Sequence, residues 1–370
     1  MIHLNSLAPN KLNLHFFAVP PKSCGPFQKA IDLFDEKCEG YCWDTPTPKP
    51  LRNVLITPIN IGPQSKFLPY VRDLKDSGRI ERIIFDSGGY SLMTGTLEKT
   101  RNISTVEALV EKDMKLYEEN ANHVDAFMML DDPPTGADNF DTVQKKIGDT
   151  IRVTLDFFNQ MSSKVQDKCV PIYHCQHLDE VEIFTEAYAP IIQRSGFVSY
   201  SAASTTMPNA SRLLGMNSVP ILKKIVNDLQ EVHCLGIVSP LATFLLALLG
   251  VRTYDGSSAS INAGNGEVYL PYQPSIPMTT NTSKSHRVPS QKEFDLLKEE
   301  TGHHCPFCSD INVLIKTPEY RFLHNLIVVD QLPYIYKDLD IEKFRRLQKT
   351  QKYTKLIDDF LTESDQLLLF

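Results

Sequence analysis

Short runs of consecutive apolar residues punctuate the first 255 positions at wide intervals: LHFFAV at 14–19, VLIT at 54–57, RIIFD at 82–86 and DAFMML at 125–130. The series continues with CVPIYHC at 169–175, GFVSYS at 196–201, VHCLGI at 232–237 and VRTYD at 251–255. Runs this short, with little alternation, predict strands buried on both faces, the habit of a parallel sheet covered by helices. Between several of them, residues 104–121, 143–161 and 210–230 set apolar side chains at helical spacing and predict amphipathic helices. Strand alternating with helix in this rhythm predicts a (β/α)8 TIM-type barrel, with an open doubly wound sheet as the runner-up.

The texture changes after Asp255, to Gly, Ser, Asn and Pro. GNG at 264–266 predicts a hairpin turn, and a polar stretch at 275–291 leads to a Cys/His-rich piece at 303–325 and a charged, helix-like end. The expected division is therefore a barrel catalytic domain over 1–270 and a zinc-binding subdomain over 271–370, the latter with a basic helix completing the barrel. The Pro-rich segment at 44–50 reads as a loop over the barrel mouth.

Composition narrows the function classes. At 370 residues with 42% hydrophobic and 22% charged positions, the chain is an ordinary globular protein and not a disordered or fibrous one. A net charge of −7 argues against a generally basic nucleic-acid binder. A local patch is still expected, because Lys343, Arg345, Arg346, Lys349, Lys352 and Lys355 occur with no acid between them. Arg345, Arg346, Lys349 and Lys352 are candidates for holding a phosphate backbone, the alternative being a solvated helix face. The most apolar stretch, Pro240 to Val251, is shorter than the roughly 20 residues a membrane span needs and predicts a buried helix. The N-terminal residues lack the pattern of a secretory signal, and eight dispersed cysteines suggest reduced thiols, so a cytoplasmic protein is expected.

The acids fall in telling places. Asp86 follows IIF, Asp131 and Asp132 follow FMML, and Asp255 follows RTY. In a parallel barrel the strand C-termini converge on the face that carries active sites, so these carboxylates become neighbours; any one of them could instead cap the next helix. Asp86 opens DSGGYS, where Ser87, Gly88 and Gly89 allow backbone N–H groups close to a ligand and Tyr90 offers a ring for a planar base. The second cluster is HHCPFC at 303–308 with a later LHNL. Cys305, Cys308, His324 and His303, or His304 in its place, make a tetrahedral set suited to structural zinc. Cys38 and Cys42 are a weaker pair.

Together, DSGGYS at 86–91, LDD at 130–132, TYD at 253–255, HxCxxC at 303–308 and HN at 324–325, in that order, resemble the tRNA-guanine transglycosylase family. The stretch 234–255 is also similar to that family's segment leading to its catalytic aspartate. The resemblance implies an exchange of guanine for a 7-deazaguanine through a covalent aspartyl-glycosyl intermediate with retained configuration. It implies Asp255 as nucleophile, Asp86 as general acid/base, Asp131 on the Watson–Crick edge of the base, Tyr90 stacked on it, and Gln176 as a further base contact.

The departures from the family pattern are Ser91 for Gln, Asp132 for Glu, SYSAAS at 199–204 for a Gly-Gly-Leu-Ala turn, GSSASINA at 256–263 for an arginine-bearing segment, and His303 for the first zinc cysteine. They fall on the polynucleotide-facing parts more than on the carboxylates, and that pattern looks like the family's DNA-modifying paralogues, which insert 7-cyano-7-deazaguanine. The sequence as it stands also holds no further RNA-binding domain. The expected partner is thus DNA, with accessory proteins to open a duplex. The alternatives are a tRNA-acting transglycosylase, a non-catalytic binding paralogue, and an unrelated glycoside hydrolase, which would leave the zinc motif unexplained.

Overall fold

The structure is a computed structural model that describes residues 14–19, 24–39, 51–61, 65–134, 138–201, 218–229, 231–279, 287–347 and 358. Cys42, the Pro-rich segment at 44–50, residues 202–204 of SYSAAS, the start of the 210–230 helix, and Lys349, Lys352 and Lys355 lie outside the described residues.

Nine parallel strands form one sheet: β1 (Leu14–Val19), β2 (Asn53–Ile56), β3 (Arg82–Phe85), β4 (Ala126–Met128), β5 (Cys169–Val170), β6 (Ile172–Tyr173), β7 (Val198–Ser201), β8 (Val232–Leu235) and β9 (Thr253–Gly256). Consecutive strands pair, and β1 pairs with β9 to close the ring. The one interruption is between β5, which pairs with β4, and β6, which pairs with β7. Only Pro171 separates them, and a proline has no N–H to give to the ladder. They are one physical strand, so the barrel is the expected eight-stranded one.

Alternate residues of these strands fill the barrel interior, where Phe16, Leu55, Ile84, Ala126, Met128, Val170 and Ile172 pack in one cluster with Phe197. That parity decides which side chains reach the mouth. Asp86 is two residues beyond Ile84 and His174 two beyond Ile172, so both continue the inward-facing row past the apolar plug. Covering helices start where the sequence supplies caps: the Thr105 side chain accepts from the Ala108 N–H at the start of Val106–Asn120, and Asn139 accepts from Thr142 at the start of Phe140–Gln160.

By contacts the chain falls into two compact units that divide it differently from a cut at residue 270. Most of the chain up to Ile237, with Gly250–Ser257, forms the barrel unit; Val238–Leu249 and the chain from Ser258 onward belong to the second. In that second unit the apolar stretch forms the buried helix Pro240–Leu248, and its Phe244 stacks on Phe344 at 4.4 Å and meets Tyr336 edge-on at 5.1 Å. Such aromatic pairs explain why so apolar a segment belongs in a core and not a bilayer. Among the described residues no helix is long and apolar enough to cross a membrane.

GNG at 264–266 is not a hairpin turn. It ends the helix Ser258–Gly264 and leads into β10 (Glu267–Val268), whose antiparallel partner is β11 (Ile276–Pro277). A left-handed glycine ends a helix as readily as it turns a hairpin, and Gly266 has φ +78°.

Candidate active site and metal centre

The mouth of the barrel gathers the carboxylates that the sequence placed at strand ends. Asp255 lies within β9, two residues beyond Thr253, and is buried. Its Oδ1 accepts the Gly236 backbone N–H at 2.9 Å and lies 3.2 Å from His233 Nε2. Asp131 is buried three residues past β4; its Oδ2 is 2.6 Å from His174 Nε2 and its Oδ1 accepts from Ser87 Oγ at 3.3 Å. Asp86 is half-buried just past β3, and its Oδ2 accepts from Thr57 Oγ1 at 2.9 Å. Asp132 turns elsewhere, 3.9 Å from Lys146.

The three acids are not equivalent. Desolvation, then the negative charge of Asp131 and more weakly that of Asp255, push Asp86 up from the ordinary 3.8 to about 7, against the Thr57 hydroxyl and the Gly88 N–H, which favour the anion. A carboxyl poised there can both give and take a proton near neutral pH. Because the folded state binds this proton more tightly than the unfolded chain, the stabilisation is complete below about pH 4 and is lost as pH rises through about 7. The carboxyl carbon of Asp86 is expected to titrate near 7 by NMR, and Thr57→Val is expected to move that midpoint upward. A midpoint near 4 in the wild type would contradict this arrangement.

Gly88 and Gly89 fit the site for steric reasons. Gly88 has φ +82°, and a Cβ there would stand 2.7 Å from Ile59 Cγ2; a Cβ on Gly89 would stand 2.1 Å from Asp131 Oδ1 and 2.4 Å from its backbone oxygen. Those distances leave no room for any side chain. Gly89→Ala is expected to destabilise the fold by about 1–3 kcal/mol, as overpacking does, and to dislodge Asp131 from His174. Denaturant unfolding checks it, and unchanged stability would contradict the packing.

Of the other expected contacts, Tyr90 stands 56% exposed in the short helix Gly89–Met93. Gln176 is half-buried, and its backbone N–H and that of His177 donate to the buried Glu180 carboxylate at 2.6 and 3.1 Å. Glu180 shapes this loop and had no distinguishing mark in the sequence. His174 and His233 were also missed, since each reads as part of an apolar run; counting by twos from Ile172 and from Leu235 would have placed both on the inward row.

The basic patch changes most. Arg345 is held by Glu342 at 2.8 Å and by Asp358 at 2.5 Å, so its guanidinium is already neutralised within the chain, and of the two described candidates Arg346 is the exposed one.

In the second unit His303, Cys305, Cys308 and His324 are buried, with ligand atoms all within 4.8 Å of one another. His304 is exposed, which settles the choice between the neighbouring histidines. The ring nitrogens are sorted as ligation requires. His324 Nε2 faces the Tyr269 carbonyl at 2.8 Å, leaving Nδ1 towards Cys305 Sγ at 3.3 Å, and His303 Nδ1 faces Gln331 Oε1 at 3.0 Å. His303 Nε2 is thereby a buried nitrogen with no hydrogen-bond partner, an orphan that a metal ion would satisfy. Hydrogen bonding with the Cys305 thiol holds Cys308 well below the usual thiol range, while burial holds the Cys305 thiol up. The set could hold a metal ion.

The residue after His324 extends the grip. Asn325 Oδ1 accepts from the Tyr269 N–H at 2.7 Å, and its Nδ2 donates to the carbonyls of Ala259 and Glu267 at 3.1 and 3.2 Å. Arg321 on the same helix, Pro318–Ile335, donates to the Ala263 carbonyl at 2.9 Å. The helix that carries His324 thus pins β10 and the helix Ser258–Gly264. Compared with known proteins, the sequence matches no family model and no curated protein.

Proposed function

We propose that the chain is a guanine transglycosylase that exchanges guanine for a 7-deazaguanine, 7-cyano-7-deazaguanine, in DNA. The observation that carries the reading is the pairing at the barrel mouth of a buried carboxylate hydrogen-bonded through Oδ1 with a second carboxyl held near 7. Asp255 attacks C1′ of the target nucleotide as the bond to the base nitrogen breaks, and protonated Asp86 gives its proton to the departing guanine. The incoming base then loses its N–H proton to the Asp86 carboxylate, its nitrogen attacks C1′, and the Asp255 ester bond breaks. Two inversions retain the configuration, and both groups end in their starting states. Asp131, oriented by His174 and Ser87, faces the base edge, and Tyr90 supplies a stacking surface.

Zinc is the metal this reading assigns to His303, Cys305, Cys308 and His324, since two thiolates and two imidazoles suit its tetrahedral preference, and its part is structural. A duplex target needs the nucleotide flipped out, at a cost of a few kcal/mol, which is where accessory proteins would act. Incubation of the purified protein with labelled guanine and either duplex DNA or tRNA tests the reading. Label in DNA is the expected result; label in tRNA alone moves the substrate to tRNA, and label in neither overturns the exchange.

A further inference from the structure

The geometry points to His233, backed by Thr253, as the positioning residue that presents Asp255 for attack through Oδ2. The proposal rests on the exchange reading for what Asp255 attacks, but not for how the carboxylate is held. His233 sits in β8 directly beside Thr253 of β9. Its ring is fully buried and meets Phe16 edge-on at 6.0 Å, which fixes the ring plane. Nδ1 lies 2.8 Å from Thr253 Oγ1 and Nε2 lies 3.2 Å from Asp255 Oδ1.

Proton bookkeeping selects the tautomer. A carboxylate only accepts, so Nε2 must carry the hydrogen that faces Oδ1, and the Thr253 hydroxyl then donates to the Nδ1 lone pair. The Gly236 N–H arrives at the same Oδ1 from the end of β8, at 2.9 Å. Two protein donors therefore converge on one oxygen, and among the described residues none is directed to Oδ2. With Oδ1 engaged by both donors, Oδ2 keeps its lone pairs for the sugar carbon. The rate gain comes from orientation, as a carboxylate free to rotate would present either oxygen at varied angles.

Three variants and one spectrum test this. His233→Phe keeps a planar ring but gives no hydrogen bond; it is expected to lower kcat for adduct formation by about 10²–10³-fold, in line with losing one preorganised donor, with KM for the polynucleotide within about threefold. His233→Gln, whose amide N–H can reach the same oxygen, is expected to restore at least about tenfold of that loss. Thr253→Val is expected to lower kcat by about tenfold by freeing the tautomer. On the wild type, 15N NMR of His233 at pH 8 is expected to show the hydrogen on Nε2 and a bare, hydrogen-bonded Nδ1.

A wild-type kcat in His233→Phe, no rescue by Gln, or the hydrogen on Nδ1 would each overturn the proposal. If the Phe variant fails to fold, Thr253→Val and the spectrum still decide. If the wild type forms no adduct with any polynucleotide, the exchange reading falls, whereas the spectrum still decides how Asp255 is held.

Discussion

Replacing Cys308 with Ser is expected to strip the second unit of bound metal and to unfold that unit well below the temperature at which the barrel unit melts. The buried set leaves His303 Nε2 without a partner and packs two thiols against two imidazoles, an arrangement that costs stability unless an ion occupies it. Structural metal sites of this kind return about 10–16 kcal/mol of apparent binding free energy as folding free energy. The loss would spread through named bonds. His324 would no longer be held over the Tyr269 carbonyl, and the Asn325 bonds to Tyr269, Ala259 and Glu267 would loosen with it. Metal analysis beside calorimetry checks this: the wild type should carry about one ion per chain and the variant almost none, with a separate low-temperature transition. A metal-free wild type of undiminished stability would contradict the assignment.

Asp255→Asn is expected to reduce base exchange by at least about 10⁴-fold while leaving the melting temperature within a few degrees of wild type, since removing one member of a catalytic carboxylate set commonly costs this much. The amide oxygen can still accept from the Gly236 N–H and from His233, so the hydrogen bonds that hold the segment survive. On the proposed mechanism, what is lost is the negative charge that attacks the sugar carbon and leaves again. Steady-state exchange of labelled guanine, with circular dichroism on the same sample, separates the two effects. Full exchange by the Asn variant would remove Asp255 from the mechanism.

Much of the barrel was legible because its strands are short, apolar and bounded by acids or turns. The helix expected over 104–121 is Val106–Asn120, and that over 143–161 is Phe140–Gln160. The Cys/His spacing likewise named its own cluster, though only burial separates His303 from its exposed neighbour His304.

What was not legible has physical causes. The unit boundary after Ser257 was hidden because the chain enters the second unit at Val238–Leu249 and returns to the barrel for one more strand, which no local pattern signals. Arg345 looked like a free cation because Asp358, thirteen residues away, lies outside the basic run. His174 and His233 hid within apolar runs, since nothing local shows that a histidine there is buried and paired with a carboxylate from another strand. The raised pKa of Asp86 comes first from its burial and then from the closeness of Asp131 and Asp255, carried by strands distant in sequence, and both are properties of the barrel.

The most direct test of the account is to mix the purified protein with duplex DNA and a 7-deazaguanine, quench with denaturant, and map any covalent complex by mass spectrometry. The account predicts a protein–nucleotide adduct whose only modified residue is Asp255, absent from Asp255→Asn and accumulating in Asp86→Asn if its first step still proceeds. An adduct on any other residue, or exchange that proceeds with no adduct at all, would contradict it.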